Sequence, residues 1–349
     1  MPSRETVRLS LACDNLCVFC GQDGVTSRAS AVSEQLTDAR ARSNELTFVG
    51  GEPLLDAELE DHVAEARRHG FRRIGLQTNG RTLGDGDRAA RLARAGLTDI
   101  HLSIHGADAA VHDYHTGRPG SLEAALRGLA AAKAEGLEIV VTTLVTRSSF
   151  RTLAAVPRLL SSRGVSAWAL SIPRVAGRSH VSFDRVVPRL ALAMPFALHA
   201  MTLAGSLGLP AFIHGAPVCL LGPFADRVLV DAPRAFGAPC ETCSAAPVCP
   251  GVDATYLARF GGDELTACAR TDPRETHPEL RAMFVGPGEL AAAPAPPPAA
   301  RAKVALPMAG KVRPATSEVA PSSPKRSGEA LREILPALFE GPPREDQDA

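Results

Sequence analysis

Six apolar, β-rich runs separated by helix-forming stretches constrain what this chain can fold into more than any other feature of its 349 residues. Residues 7–11, 45–49, 73–77, 99–104, 138–146 and 167–172 read as strands, most of them apolar enough to be buried on both faces. Residues 56–69, 85–95, 121–135 and 152–162 carry helix formers, and Gly70, Gly96, Gly136 and Gly164 stand where helices should stop. Strand and helix in alternation imply right-handed crossovers and a parallel sheet, so the fold class is α/β. Six such units are too few to close an eight-stranded barrel, which predicts a partial (β/α)6 barrel over residues 1–183.

After Arg174 the pattern changes. Residues 190–225 hold no Asp, Glu, Lys or Arg, a run long enough to span a bilayer. Pro195, His199, Thr202 and Ser206 make it a poor spanning segment, so a buried helix that helps to wall an apolar cavity is the expectation, and no membrane is. A hairpin around residues 225–237 and a cysteine-rich loop then complete a small domain over 184–284. Beyond it, 12 of the 28 prolines fall after Val285, and residues 285–349 are expected to be a disordered tail. Within that tail Leu331, Ile334, Leu335 and Leu338 repeat at helical spacing behind Ser327, offering either a frayed end or a partner-docking motif over 327–340. Basic and acidic residues balance at 38 each, which offers no long-range attraction to nucleic acid or anionic lipid. The first residues lack the apolar core of a secretory signal, and eight cysteines in a reducing cytoplasm point to thiolate ligands rather than disulfides.

Three of those cysteines, Cys13, Cys17 and Cys20, crowd the loop "LACDNLCVFCGQDG" directly after the first strand. Three thiolates can hold three irons of a four-iron cluster and leave the fourth iron open. Structural zinc would ask for a fourth ligand, and the next histidine is His62, on a predicted helix.

"CDNLCVFC" resembles the Cys-x3-Cys-x2-Cys loop of the radical S-adenosylmethionine (radical SAM) superfamily, including the aromatic Phe19 before its last cysteine. "FVGGEPLLD", "LQTNG" and "DIHLSIHG" resemble the family's motifs after strands two, three and four, in the same order. The resemblance spans residues 7 to about 175 and implies a TIM-like partial barrel, a 4Fe-4S cluster on Cys13, Cys17 and Cys20, and S-adenosylmethionine chelated to its open iron. Reductive cleavage would then yield a radical that abstracts hydrogen from a substrate, with an electron donor such as flavodoxin or ferredoxin. For the cofactor contacts it points to Phe19, Gly50, Gly51, Glu52, Asn79 and Ser103. Gly50 and Gly51 would admit backbone groups to the methionine amine, and Glu52 would add negative charge near it. Thr143 and Ile172 are carried as inward-facing contacts for the ribose and adenine, although alternation does not say which neighbour points inward. Each motif has a plainer reading: Gly-Gly-Glu-Pro as a strand-to-helix turn, Asn79-Gly80 as a turn, and the histidines His105, His112 and His115 as packing residues rather than acid/base groups.

A second set, Cys240, Cys243 and Cys249, lies in "PCETCSAAPVCPG", with Cys219 upstream and Cys268 downstream. Three close thiolates plus either outlier make four ligands, for an iron-sulfur cluster or for zinc. With Tyr256 and "FGGDEL" the string resembles the SPASM and twitch auxiliary-cluster modules of radical SAM maturases, but five cysteines fall short of the seven of a full SPASM pattern. One auxiliary 4Fe-4S cluster is expected, with Cys219 as its fourth ligand and Cys268 as the alternative. The resemblance implies an enzyme acting on a peptide or protein side chain, with small-molecule or cofactor biosynthesis as the alternative and a non-catalytic metal-binding scaffold as the third reading. The start of the barrel near residue 7 leaves no room for a preceding peptide-recognition domain, which weighs against the peptide reading.

Overall fold

A computed structural model describes residues 4–24, 30–230, 235–269 and 277–284. The expected tail over 285–349 and the docking motif over 327–340 lie outside the described residues.

Eight strands form one sheet in chain order: β1 (Glu5–Arg8), β2 (Glu45–Val49), β3 (Arg73–Thr78), β4 (Asp99–Ser103), β5 (Glu138–Leu144), β6 (Ala167–Ser171), β7 (Ala211–His214) and β8 (Val228–Leu229). Every neighbouring pair is parallel, and the two end strands do not pair with each other, so the sheet curls into an open, TIM-like partial barrel. The six expected strands are all present. Two further strands extend the sheet past the expected boundary at residue 184: the charge-free run is a crossover helix, Leu190–Ser206, that delivers β7 beside β6. At the expected hairpin, Val228–Leu229 pairs in parallel with β7, and residues 231–234 lie outside the described residues. The segment from 184 to 229 is therefore part of the barrel, and only the cysteine-rich stretch after it stands apart from the sheet.

The helix Leu190–Ser206 buries one face against the outer barrel, where Ala193, Met194, Ala197, Ala200, Met201 and Ala204 are enclosed. Length and composition alone would let the longer helical stretch Phe183–Ser206 cross a membrane, but half of its most apolar window is buried inside the protein. Leu192 and Phe196 remain on its outer side. Its start is held by the cysteine-rich stretch: Leu190 N donates to Tyr256 Oη at 2.8 Å, Ala191 N donates to Glu264 at 2.7 Å, and the Tyr256 hydroxyl donates to the same carboxylate. Tyr256 and Glu264, part of the auxiliary-module resemblance, thus supply a cap to a helix that has no side-chain cap of its own.

Two apolar layers flank the sheet. Outward-facing residues such as Phe48, Leu76 and Trp168 pack under the helices, while Val140, Ala167, Ala169, Phe212 and Leu229 face the lumen, where Met283 and Phe284 pack against them. At the amino ends of the strands Arg4 reaches into the lumen and pairs with Asp99 at 2.7 Å, both nearly inaccessible. Gly75 makes room for it, since a Cβ there would lie 2.2 Å from Arg4 Nη2. The polar floor and apolar plug leave the carboxyl end of the barrel as the open one.

Candidate functional site

The cysteine loop leaves the carboxyl end of β1 and is held down on every side by main-chain bonds. Gly51 N donates to Ser10 O and Glu52 N to Ala12 O, each at 2.7 Å, and Leu16 N and Val18 N donate to Thr116 O and His115 O. Here Gly50 and Gly51 have a role different from the expected one. A Cβ on Gly51 would sit 2.2 Å from Ala12 O, and one on Gly50 2.3 Å from Ser10 O, so the missing side chains first admit the cysteine loop itself.

Asp14, inside that loop, is its main side-chain anchor. It accepts from Asn79 Nδ2 at 2.7 Å and from Arg81 Nη1 at 2.6 Å, while Arg118 Nε donates to its carbonyl at 2.7 Å. Loss of this clamp by Asp14→Ala is expected to loosen the loop and lower iron retention at the first site by about 10-fold to 100-fold, read by iron analysis after gel filtration under chelator.

Together these loops enclose a cavity of about 490 Å3 at the carboxyl ends of the strands. Cys13, Cys17, Phe19, Cys20, Gly50, Gly51, Asn79, Ser103 and Ile172 all border it, as do Gln77, His105, Leu144, Ser171 and His214, which the sequence reading passed over or left unassigned. Two expected contacts are elsewhere. Thr143 faces outward, donating to Ile104 O at 2.6 Å and accepting from Trp168 Nε1 at 2.9 Å; the one-residue alternation of β5 puts Leu144, not Thr143, at the cavity. Glu52 lies beneath the wall, 2% exposed, with Oε1 accepting from Leu54 N and Thr78 Oγ1 and Oε2 from Asn79 N at 2.7 Å. Burial pushes its carboxyl up to about 7 against the pull of those three donors. Glu52 therefore shapes the strand-three turn that presents Asn79 to the cavity.

Of the three histidines, His105 alone borders the cavity, edge-on to Phe19 with ring centroids 4.7 Å apart. Burial holds His105 well below the usual histidine range, and His112 is brought down to about 4 by burial as well. His112 Nδ1 accepts from His105 N, and His115 Nδ1 faces Val111 O while Nε2 meets Thr146 and Ser148 hydroxyls. These are packed neutral rings, and they join strand four to the cysteine loop.

Burial disfavours the thiolate form of Cys13 and Cys17 at the cavity. Burial, then Cys20 and Cys13, push Cys17 up to about 12, offset in part by Arg178, and burial raises Cys13 as well. A thiol this reluctant to ionise alone is deprotonated outright when metal binds. Among the described residues no three Cys, His, Asp or Glu side chains converge on one ion-sized point. A four-iron cluster needs no such point, since each thiolate takes a different iron, and three thiols around a cavity fit it.

The second set gathers likewise. Cys219, Cys240, Cys243, Cys249 and Cys268 line one pocket, walled by Val218, Ala245, Val252 and Leu265, and none is disulfide-bonded. Val218 N and Gly251 N each point at Cys249 Sγ and Cys268 N at Cys243 Sγ, all at 3.4 Å, donors that favour thiolate sulfur. Both candidates for the fourth ligand are present, with Cys268 Sγ 3.8 Å from Cys243 Sγ.

Residues 7–149 match the family model described as the Radical SAM superfamily. This part of the chain is a radical SAM domain. The chain is 30% identical over 142 residues to the AdoMet-dependent heme synthase of Nitratidesulfovibrio vulgaris, covering 41% of this chain and 38% of that protein. It is 29% identical over 214 residues to the PqqA peptide cyclase of Streptomyces rochei, covering 58% of this chain and 57% of that one. The chain thus spans between about a third and three fifths of the length of these relatives. Streptococcus suis SuiB bound to precursor peptide SuiA shares the fold of the radical SAM domain, with a TM-score of 0.52 at 14% identity over 64% of this chain and 51% of that one.

Proposed function

We propose that this chain is a radical SAM enzyme that cleaves S-adenosylmethionine reductively and abstracts hydrogen from a peptide or protein side chain. One observation carries the reading: within the radical SAM domain, Cys13, Cys17 and Cys20 border the same 490 Å3 cavity as Gly50, Gly51, Asn79 and Ser103. When bound there, a 4Fe-4S cluster with S-adenosylmethionine supplies one-electron cleavage and, through it, hydrogen abstraction from an unactivated carbon. The three cysteines would hold three of the irons. Phe19, packed on His105, closes the wall beside them and excludes water. Asn79 and Ser103 offer hydrogen bonds to hydroxyls or a carboxylate, and the buried Glu52 fixes the backbone from which Asn79 projects. A cytoplasmic setting with flavodoxin or ferredoxin as electron donor completes the proposal.

The peptide class is supported by the match to a peptide cyclase, which runs over 214 residues and so beyond the family-model region. The match to a heme synthase favours a second reading, small-molecule or cofactor biosynthesis.

For the cysteine pocket the proposal is a second 4Fe-4S cluster on Cys240, Cys243, Cys249 and one of Cys219 and Cys268. Five thiols line that pocket, one more than a cluster requires. Cys219→Ala and Cys268→Ala singly are therefore expected to keep about eight irons per chain, and the double variant to fall to about four. Iron and sulfide analysis of the reconstituted proteins checks this.

The reaction itself is tested by anaerobic reconstitution with iron and sulfide, reduction with dithionite and addition of S-adenosylmethionine. Wild-type protein is expected to form 5'-deoxyadenosine, and Cys17→Ala to lose that activity by more than about 100-fold, beyond what loss of a supporting partner costs a metal site. Product formation unchanged by Cys17→Ala overturns the proposal.

A further inference from the structure

We propose that a mainly apolar cavity beside the first one is the compartment for an apolar side chain of the peptide substrate, an inference that rests on reading the first cavity as the S-adenosylmethionine site. This second cavity measures about 410 Å3, and Val218, Ala225, Val228, Val230, Val248 and Phe284 form most of its wall. Its volume lies in the range of about 300–1,000 Å3 that holds small-molecule ligands. Dry apolar cavities of about 150 Å3 already hold benzene, so an aromatic side chain has ample room.

Adjacency to the first cavity says what the compartment serves. His214, at the carboxyl end of β7, borders both cavities, and its register partner Ser171 on β6 borders the first. The two cavities therefore lie side by side, with His214 as their shared wall residue. Val248 precedes Cys249, whose sulfur accepts from Val218 N, so the same wall is shared with the second cysteine pocket. Val230 is 51% exposed at the rim, which leaves a mouth where a peptide main chain can stay in solvent while its side chain enters.

The wall also sets the chemical class. No Asp or Glu lines it among the described residues, so a cationic side chain would lose its hydration without an anionic partner. Arg281 borders it, but its guanidinium donates to the carbonyls of Asp226 and Val228 and so ties the segment Gly222–Arg227 to β8 as part of the wall. A carboxylate side chain would have to compete with those carbonyls, whereas a branched aliphatic or aromatic one needs nothing that the wall lacks.

The test uses reconstituted holoprotein and indole as the side-chain probe, with propionate as the charged control, followed by ligand-detected NMR. Indole is expected to bind saturably and more tightly than propionate. Ala225→Trp, which fills the cavity, and Val230→Trp, which blocks its mouth, are each expected to weaken indole by about tenfold or more, with iron content and S-adenosylmethionine affinity unchanged. No saturable indole binding, preference for propionate, or indole affinity unmoved in both variants overturns the compartment. Wild-type 5'-deoxyadenosine formation is read in parallel: its presence without indole binding sinks the compartment alone, and its absence sinks the reading of the first cavity.

Discussion

Gly51→Ala is expected to empty the first cluster site while leaving the second filled, lowering iron from about eight to about four per chain after reconstitution. The added Cβ would lie 2.2 Å from Ala12 O and 2.4 Å from Leu11 O. Both are backbone atoms of the cysteine loop, so no rotamer change relieves the contact. The loop must move away from the β2 turn, breaking the bonds from Gly51 N to Ser10 O and from Glu52 N to Ala12 O. Overpacking of this kind costs on the order of 3 kcal/mol, and chemical denaturation of the metal-free variant should show that loss. An alanine variant with full iron and unchanged stability would show that the loop tolerates the shift, and that the close approach is incidental.

Glu52→Gln is expected to have the second largest effect. The carboxylate accepts from three donors, Leu54 N at 2.9 Å, Thr78 Oγ1 at 2.5 Å and Asn79 N at 2.7 Å. An amide at the same place must turn its NH2 toward at least one of them, leaving buried donors face to face at a cost of roughly 1–3 kcal/mol. Because Asn79 takes its position from that bond, S-adenosylmethionine affinity should fall with stability. The pH dependence separates this from simple misfolding. Burial raises the Glu52 carboxyl to about 7 in the folded protein, against about 4.3 when unfolded. Between those values the folded state holds a proton that the unfolded state has released, so stability falls as pH rises through the window and levels off above it. Glutamine removes that slope, and urea denaturation of both proteins at pH 5 and pH 7.5 measures it.

Much of this was legible in the residues because the strands that position the site are short, apolar and punctuated by glycine. All six expected strands exist, and the cysteines, Gly50, Gly51, Asn79, Ser103 and Ile172 border one cavity. The misreadings have physical causes. Strand β7, Ala211–His214, follows an apolar helix with no charged residue between them, so only Gly208 and Pro210 mark the break, and its His214 was missed with it. Strand β8 has only two residues, too few for any period. The helix Val32–Arg42 buries only Leu36 and Ala39 and offers almost no apolar stripe. Thr143 was placed on the wrong face because a period of two fixes alternation but not phase, and only the partner strands decide which set looks inward. The roles of Gly50, Gly51 and Glu52 could not be read at all, since they depend on how closely the loops after β1, β2 and β3 approach one another.

The decisive measurement is electron paramagnetic resonance of the dithionite-reduced, anaerobically reconstituted protein, with the second site emptied by Cys240→Ala and Cys243→Ala, before and after S-adenosylmethionine is added. A reduced four-iron signal whose g-values shift on addition is expected, because Cys13, Cys17 and Cys20 would hold three irons and leave the fourth without a protein ligand. A signal indifferent to S-adenosylmethionine, or zinc in place of iron on those three thiols, would contradict it.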